Sequence, residues 1–505
     1  MTTETKIEDS KRVAAGAGLV TTARTVGGVL NLLLVISLTR LLSKDDFAIV
    51  VATFMVHEII NAIGPLGLPS ALSFFVPKLG GRCRRALGVV TGGLLFSMAV
   101  PFALALAFGG PEVAALIGKP ELGIPLAILS VAVLADFPGQ TLPNFLIAKE
   151  SYIGAFWITL LFYLSRFASF VVPAYLGYGP EVIIWCFAGV AVLRALCFVI
   201  HFSFIERGGL SGDAREGWSI RELFSYGAPL SASLIVGKLN VQIDKYMILY
   251  LLTPAAFAVF TVGAVELPLV SSLAYSVTTA LVPTLVKAHQ AGDTARFVAL
   301  WHGSMTKVAA IMMPLFVFFM IFAEPTMRVF FSSSYEGAAL PFRVYLCLLP
   351  LRLCGYGAVV RAVGETKPVL LAAGAGLVTN LVLNYPLYTL FGMAGPAMAS
   401  VLAQCVAIGI LLWCIKQRLN VREIFPVRPV TKALVIAAVS AAPAWATHGL
   451  VDEDSLRLLV GVLCYLPTYL ALSLWSGVVT RGDLRYVKEL VTGRIMSRAK
   501  SGERS

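Results

Sequence analysis

Ten ionisable side chains interrupt the long apolar stretches of this chain: Arg24, Glu58, Asp136, Arg166, Arg194, Lys238, Asp244, Lys245, Glu266 and Arg352. A charge near the centre of a membrane helix costs about 2.5–3.5 kcal/mol, so such groups face a shared interior, pair with one another or snorkel. Six of the ten are cations and four are acids. That balance suits the capture of an anion. Lys238, Gln242 and Lys245 recur at i, i+4 and i+7 and form one polar stripe on a helix. The candidate substrate-binding cations are Arg24, Lys238, Arg166, Arg194, Arg352 and Lys245. The candidates for ion coupling or gating are Glu58, Asp136, Glu266, His57 and Asp244. Each has a structural alternative. Arg24 and Lys238 can serve as partners of Glu58 and Glu266. Asp244 and Lys245 can pair or snorkel, and Arg166, Arg194 and Arg352 can hold helices together. Asp136, followed by Phe-Pro-Gly, can mark a helix break, and His57 can be a packed polar residue.

Covalent chemistry has no comparable signature. His57-Glu58-Ile59-Ile60-Asn61 lacks the second histidine of a zinc-protease HExxH motif. Asp452-Glu453-Asp454 has the DxD form of metal-dependent glycosyltransferases but stands in a short loop, where a solvated acidic turn is expected. Neither GxxxxGK[ST] nor GxSxG occurs. The eight cysteines lie mostly in apolar runs without paired spacing and are expected to be small core residues. The chain is expected not to be an enzyme and to carry no cofactor or metal.

The elements that must position these groups follow from composition. Of 505 residues 58% are hydrophobic and 13% charged, with a mean hydropathy of +0.83. A soluble enzyme, a disordered chain and a nucleic-acid binder are all excluded, because the net charge of +12 is not gathered on a soluble module. The fold class expected is an all-α polytopic membrane protein. Fourteen stretches are long and apolar enough to be candidate spans, at about 13–41, 46–76, 86–108, 122–147, 152–176, 181–205, 223–252, 255–285, 303–323, 338–360, 367–390, 394–415, 431–448 and 457–479. No signal peptide is expected before the first of them. With both termini cytoplasmic, 28 of the 40 Lys and Arg fall on cytoplasmic segments and 6 on outer loops.

An internal repeat organises the spans. Leu41–Ala48 (LLSKDDFA) matches Leu251–Ala258 (LLTPAAFA), and Ala71-Leu72 with Lys78 matches Ala280-Leu281 with Lys287. Gly179-Pro180 matches Gly395-Pro396. The near-constant offset of about 210 equals six spans, so the copies share one membrane orientation. The expected domains are an N-tail at 1–12, an N-lobe of helices 1–6 at 13–205 and a linker at 206–222. A C-lobe of helices 7–12 at 223–415, a helix pair at 416–479 and a basic tail at 480–505 follow. Subtracting the offset brings Lys238 near Arg24 and Glu266 near Glu58, which predicts a pseudo-symmetric cleft between helices 1, 2, 7 and 8.

Three segments carry a family resemblance. Thr39–Ala48 (TRLLSKDDFA) resembles the turn between the first two helices of polysaccharide flippases, with Phe47-Ala48 where those proteins often have an aromatic residue followed by Gly. Gly67–Leu72 (GLPSAL) resembles the end of their helix 2, and Ser225–Leu230 (SYGAPL) with Ile243-Asp244-Lys245 resembles their helix 7. The chain is thus similar to Wzx-type flippases of the multidrug/oligosaccharidyl-lipid/polysaccharide exporter superfamily over about residues 12–420. The resemblance implies two six-helix lobes that open alternately to either side of the bacterial inner membrane. Its implied substrate is an undecaprenyl-pyrophosphate-linked oligosaccharide, with membrane lipids, a polysaccharide polymerase and a chain-length regulator as partners. A monomer is expected, without nucleic acid. The alternatives are a lipid II flippase, an ion-coupled multidrug exporter and, from a different class, a membrane-bound glycan polymerase.

Overall fold

A computed structural model of the chain describes residues 3–79, 81–206, 217–265, 268–446, 451–480 and 482–483. Every regular element among them is a helix. Twelve helical segments are long and apolar enough to cross a membrane, and they coincide with twelve of the fourteen expected spans. The other two, expected at 223–252 and 255–285, are helical as well but less apolar or less continuous. The first carries Lys238, Asp244 and Lys245, and the second is broken between Gly263 and Pro268. The chain is an all-α, multi-pass membrane protein.

Packing divides it into two compact units, the first made of Met1–Pro268 and Leu377–Ser400. This unit holds α1 (Thr3–Leu41), α2 (Lys44–Ile63), α3 (Leu68–Phe75), α4 (Gly81–Leu116), α5 (Gly123–Gly139) and α6 (Thr141–Ala148). It continues with α7 (Tyr152–Tyr175), α8 (Pro180–Ile200), α9 (Ile220–Leu251) and α10 (Pro254–Gly263). The repeated octapeptide proves to be a helix start. Ser43 Oγ accepts from Asp46 N at 3.1 Å and opens α2, and Thr253 Oγ1 accepts from Ala256 N at 3.3 Å and opens α10. A hydroxyl in this place satisfies one of the amides that a helix leaves without partners.

Spans 2 and 4 are each divided into two helices. Span 2 divides into α2 and α3 at Gly64–Gly67, where Leu66 and Gly67 take φ of 44° and 73°. Span 4 divides into α5 and α6 at Gln140, directly after Pro138-Gly139. The break foreseen at Asp136 therefore falls one turn later.

The α9 helix is fastened to unit 1 along its length. Tyr226 stacks on Phe74 of α3 with centroids 4.6 Å apart. Lys238 pairs with Glu58, Tyr246 Oη donates to Met55 O at 2.9 Å, and Lys119 Nζ donates to the terminal carbonyl of Leu252 at 2.7 Å. These bonds assign α9 and α10 to unit 1, so the packing units and the lobes expected from the repeat are different partitions of the chain.

The second unit comprises Leu269–Gly376 and Val401–Ser505. Its elements are α11 (Pro268–Gln290), α12 (Thr294–Ile321), α13 (Ala323–Phe331), α14 (Ala339–Leu346), α15 (Leu348–Leu351) and α16 (Tyr356–Ala362). After these come parts of α17 (Lys367–Phe391) and α18 (Ala394–Leu419), then α19 (Val427–Ala446) and α20 (Asp454–Ser476). The acidic turn at 452–454 is partly engaged: Asp454 meets Arg328 at 3.3 Å and Arg457 at 3.2 Å.

Within α12, Pro314 has no N–H for the carbonyl of Ala310, one turn back. The Tyr469 hydroxyl of α20 donates to that carbonyl at 2.6 Å, and Tyr465 donates to Pro314 O at 3.0 Å. Tyr469→Phe is expected to lower stability by about 1–3 kcal/mol, the cost of leaving a buried acceptor bare. The loss should shrink in a Pro314→Ala background, which restores the N–H. Thermal unfolding of the four proteins of that cycle measures the coupling, and equal losses in both backgrounds would show that the tyrosine serves packing alone.

Candidate functional site

The charged residues of unit 1 gather where α2, α5, α6, α7, α8 and α9 converge. Asp136 sits near the end of α5, buried at 4% exposure, and pairs with Arg194 of α8. Gly139 permits this approach, since a Cβ there would stand 2.9 Å from Arg194 Cβ. His57 of α2 presents Nε2 to Asp136 Oδ2 at 3.6 Å and receives the side-chain amide of Asn61 on the same nitrogen at 2.7 Å. Gln140, at the α5–α6 bend, donates from Nε2 to Asn61 Oδ1, and Asn144 Nδ2 donates to Gln140 O at 2.9 Å. The bend thus turns an amide ladder inward.

Three adjoining cavities open around this lattice, of about 330, 460 and 460 Å3. Five cations line them, Arg24, Arg166, Arg194, Lys238 and Lys245, against two acids, Glu58 and Asp136. Arg194 and Lys238 are neutralised by Asp136 and Glu58. Arg24, Arg166 and Lys245 pair with no acid among the described residues, and all three line one 460 Å3 cavity. Arg166 is the residue common to all three cavities. Its guanidinium lies 4.1 Å from the centre of the Phe54 ring and donates to Asn31 Oδ1 at 3.3 Å. Stacking and hydrogen bonding hold the planar group without neutralising it, so its charge remains available to a ligand.

The expected site residues fall in different places. The cleft was expected between helices 1, 2, 7 and 8. The cavities described are walled by α1–α3 and α5–α9, and span 8 contributes Thr261 of α10. Spans 4–6 enter through Asp136 and Gln140, Arg166 and Arg194. Arg352 belongs to unit 2, at the break between α15 and α16, and lines none of these three cavities. Glu266 lies outside the described residues. The neighbours Asp244 and Lys245 diverge, as adjacent residues on a helix must. Lys245 lines the cationic cavity, while Asp244 is buried at 1% exposure. Its Oδ2 accepts from Ser400 Oγ at 3.0 Å, Ser400 Oγ accepts from Asn380 Nδ2 at 3.1 Å, and Asn380 Oδ1 accepts from Asn384 Nδ2 at 2.8 Å.

A search for ionisable groups alone passes over Asn61, Gln140, Asn144, Asn380 and Asn384. The signal for them was the i, i+4 spacing of neutral polar residues in apolar runs, seen in 57/61, 140/144 and 380/384.

The arrangement can bind an anion and places side-chain amides beside it, and solved structures of other proteins share the fold. The chain resembles the solved structure of the lipid II flippase MurJ in an inward closed conformation, with a TM-score of 0.72 at 15% identity, over 90% of this chain and 98% of that one. An inward-facing multidrug resistance MATE family transporter of the MOP superfamily gives a TM-score of 0.60 at 16% identity, over 78% and 94%. A MOP superfamily transporter from Pyrococcus furiosus, whose binding pocket is described as having reverse polarity, gives 0.53 at 15% identity, over 82% and 97%. No curated protein matches the chain in sequence. Residues 37–340, more than half the chain, match a family described as polysaccharide biosynthesis protein, and the chain belongs to that family, with the fold of the MOP exporters.

Proposed function

We propose that this protein is a flippase that moves an undecaprenyl-pyrophosphate-linked oligosaccharide repeat unit from the cytoplasmic to the periplasmic leaflet for surface polysaccharide assembly. The observation that carries the proposal is the cavity lined by Arg24, Arg166 and Lys245, cations without an acidic partner among the described residues. A pyrophosphate diester carries two negative charges, and charge-assisted hydrogen bonds are the strong ones in a water-poor site. The amides and aromatic rings of the adjoining cavities suit a sugar. In this reading the chain resides in the inner membrane with both termini cytoplasmic. Its two repeat-related lobes rock about the bound head group, while the polyprenyl tail stays in lipid. It acts as a monomer and hands its cargo to a polymerase and chain-length regulator. An exporter of cationic drugs would want the opposite charge balance in its cavity.

The test is a lipid extract from a deletion strain compared by mass spectrometry with its parent. Accumulated undecaprenyl-pyrophosphate oligosaccharide with loss of surface polymer is the expected result. Accumulated lipid II in its place would move the substrate to the peptidoglycan precursor, and an unchanged lipid profile would discard the proposal.

Asp244 supplies a route for ion coupling. Its buried carboxylate accepts from Ser400 Oγ, in a polar chain that runs on to Asn380 and Asn384, and a carboxylate oxygen is a hard donor of the kind small cations prefer. Asp244→Asn is expected to abolish sodium or proton dependence of flipping in proteoliposomes. Undiminished ion dependence in that variant would exclude Asp244 from coupling.

A further inference from the structure

We infer that His57, Asn61 and Gln140 form a hydrogen-bond relay whose direction is set by one proton, and that the relay decides which end of the Gln140 amide meets the substrate head group. The ligand part of this inference rests on the flippase reading; the relay itself does not.

Two orientations of the amide pair fit the same contacts, and in the one the structure shows His57 Nδ1 is buried without a hydrogen-bond partner. The NH2 of Asn61 has only donors, so its 2.7 Å bond makes His57 Nε2 an acceptor and puts the neutral ring's proton on Nδ1. Asn61 Oδ1 then accepts from Gln140 Nε2. With that donor engaged, Gln140 offers its carbonyl oxygen to the two cavities it lines.

Protonation of Nε2 reverses the chain. His57 becomes a donor, and Asn61 must turn its oxygen toward the ring. Its NH2 then faces Gln140, which turns its own oxygen inward and leaves its NH2 for the cavities. The 3.2 Å bond from Asn61 Nδ2 to His57 O is lost in the turn. A charge-assisted bond from the imidazolium offsets that loss, and Asp136 Oδ2 stands 3.6 Å from the protonated Nε2. The charged groups acting on the ring are Asp136 from α5, Arg194 from α8, Arg166 from α7 and Glu58 from its own helix. Lys238 of α9 acts through its pair with Glu58. Phe54 and Phe187 flank the ring at 5.5 and 4.9 Å between centroids. The ring's place on a cavity wall gives the proton its entry.

Sugar hydroxyls donate and accept, so they are indifferent to this switch. Acceptor-only groups are not. A head group carrying an acetamido carbonyl or a carboxylate gains a donor from Gln140 when His57 is protonated and loses it when the proton leaves. The relay therefore couples a proton to the hold on an acceptor-bearing sugar.

Two measurements on the full-length protein in lipid nanodiscs test this. The first is nitrogen NMR of 15N-histidine-labelled protein, with the His57 signals identified by their absence in His57→Gln. The neutral ring is expected as the Nδ1–H tautomer, and Asn61→Leu should release it toward the Nε2–H form. An Nε2–H tautomer in the wild type, or indifference to Asn61→Leu, overturns the relay. The second compares binding of a polyprenyl pyrophosphate with and without N-acetylglucosamine, at about pH 5.5 and about pH 8, either side of histidine's ordinary range. The affinity ratio should change about five- to tenfold with pH, the worth of one hydrogen bond, and be flat in His57→Gln and Gln140→Leu. A wild-type ratio indifferent to pH overturns the coupling. Failure of the wild type to bind either lipid overturns the flippase reading instead, and the tautomer then decides the relay.

Discussion

Arg166→Ala is expected to weaken binding of a polyprenyl pyrophosphate roughly a hundredfold, the worth of one or two hydrogen bonds to a charged group. The expectation follows from three observations. Arg166 lines all three cavities, it pairs with no acid among the described residues, and its guanidinium is held by Phe54 and Asn31. Arg166→Lys keeps the charge but loses the planar fork and the stacking, so it should recover only part of the affinity and remain about tenfold weak. Native mass spectrometry of the purified protein with undecaprenyl pyrophosphate reads both values, and thermal unfolding reports whether each variant is folded. A folded Arg166→Ala protein with full affinity would remove the anion site from this cavity.

Gly67→Ala carries the second large effect, and it acts on the scaffold. Gly67 takes φ +73°, and an added Cβ would stand 2.2 Å from the carbonyl oxygen of Gly227 on α9. A left-handed alanine and a backbone clash together cost roughly 2–5 kcal/mol. Because the clash is backbone against backbone, no side-chain rotation relieves it. The variant should therefore melt markedly lower or fail to accumulate. Gly93→Ala is the control: its Cβ meets nothing within 4 Å on the helix α4, and alanine there should be neutral or stabilising by about 0.5–1 kcal/mol. Equal melting of the two variants would show that the contact between α3 and α9 contributes little.

Both residues sit in stretches that stood out in the sequence, but for different reasons. Gly67 and Gly227 belong to the two segments, GLPSAL and SYGAPL, that carry the family resemblance. Their meaning is that they touch each other, which separation by 160 positions conceals. Arg166 was visible as a charge in an apolar run. So were Arg24, Arg194, Lys238 and Lys245, and all five line the cavities of unit 1.

What the pattern could not supply was direction. Asp244 and Lys245 are neighbours, and only the packing of Ser400 and Asn380 separates their fates. Arg352 carries the same signal as Arg166 yet lies in the other unit, since the rule that charges avoid lipid does not say which interior receives them. The amide ladder was overlooked because Asn and Gln barely lower a hydropathy average. The spans were legible to a few residues at most ends, because length and apolarity are fixed by the bilayer. The bends at Gly64–Gly67 and Gln140 were less so: a proline in a membrane helix is often tolerated, and neighbouring helices decide the outcome.

The fastening of α9 to unit 1 has a consequence for any attempt to express the protein in two pieces. The polar linker at 206–222 looks like the natural place to cut the gene. A fragment ending there would leave Glu58 without Lys238, Phe74 without Tyr226 and the Met55 carbonyl without the Tyr246 hydroxyl. Its complement would begin with a helix whose charged stripe and aromatic face had lost their seats. A cut after α10 keeps these three contacts inside the first piece and parts only pairs such as Asp244 and Ser400, so co-expression of halves should yield more protein there than at the linker. Where the chain can be divided is thus set by which helices hold one another and not by where its polar linker falls.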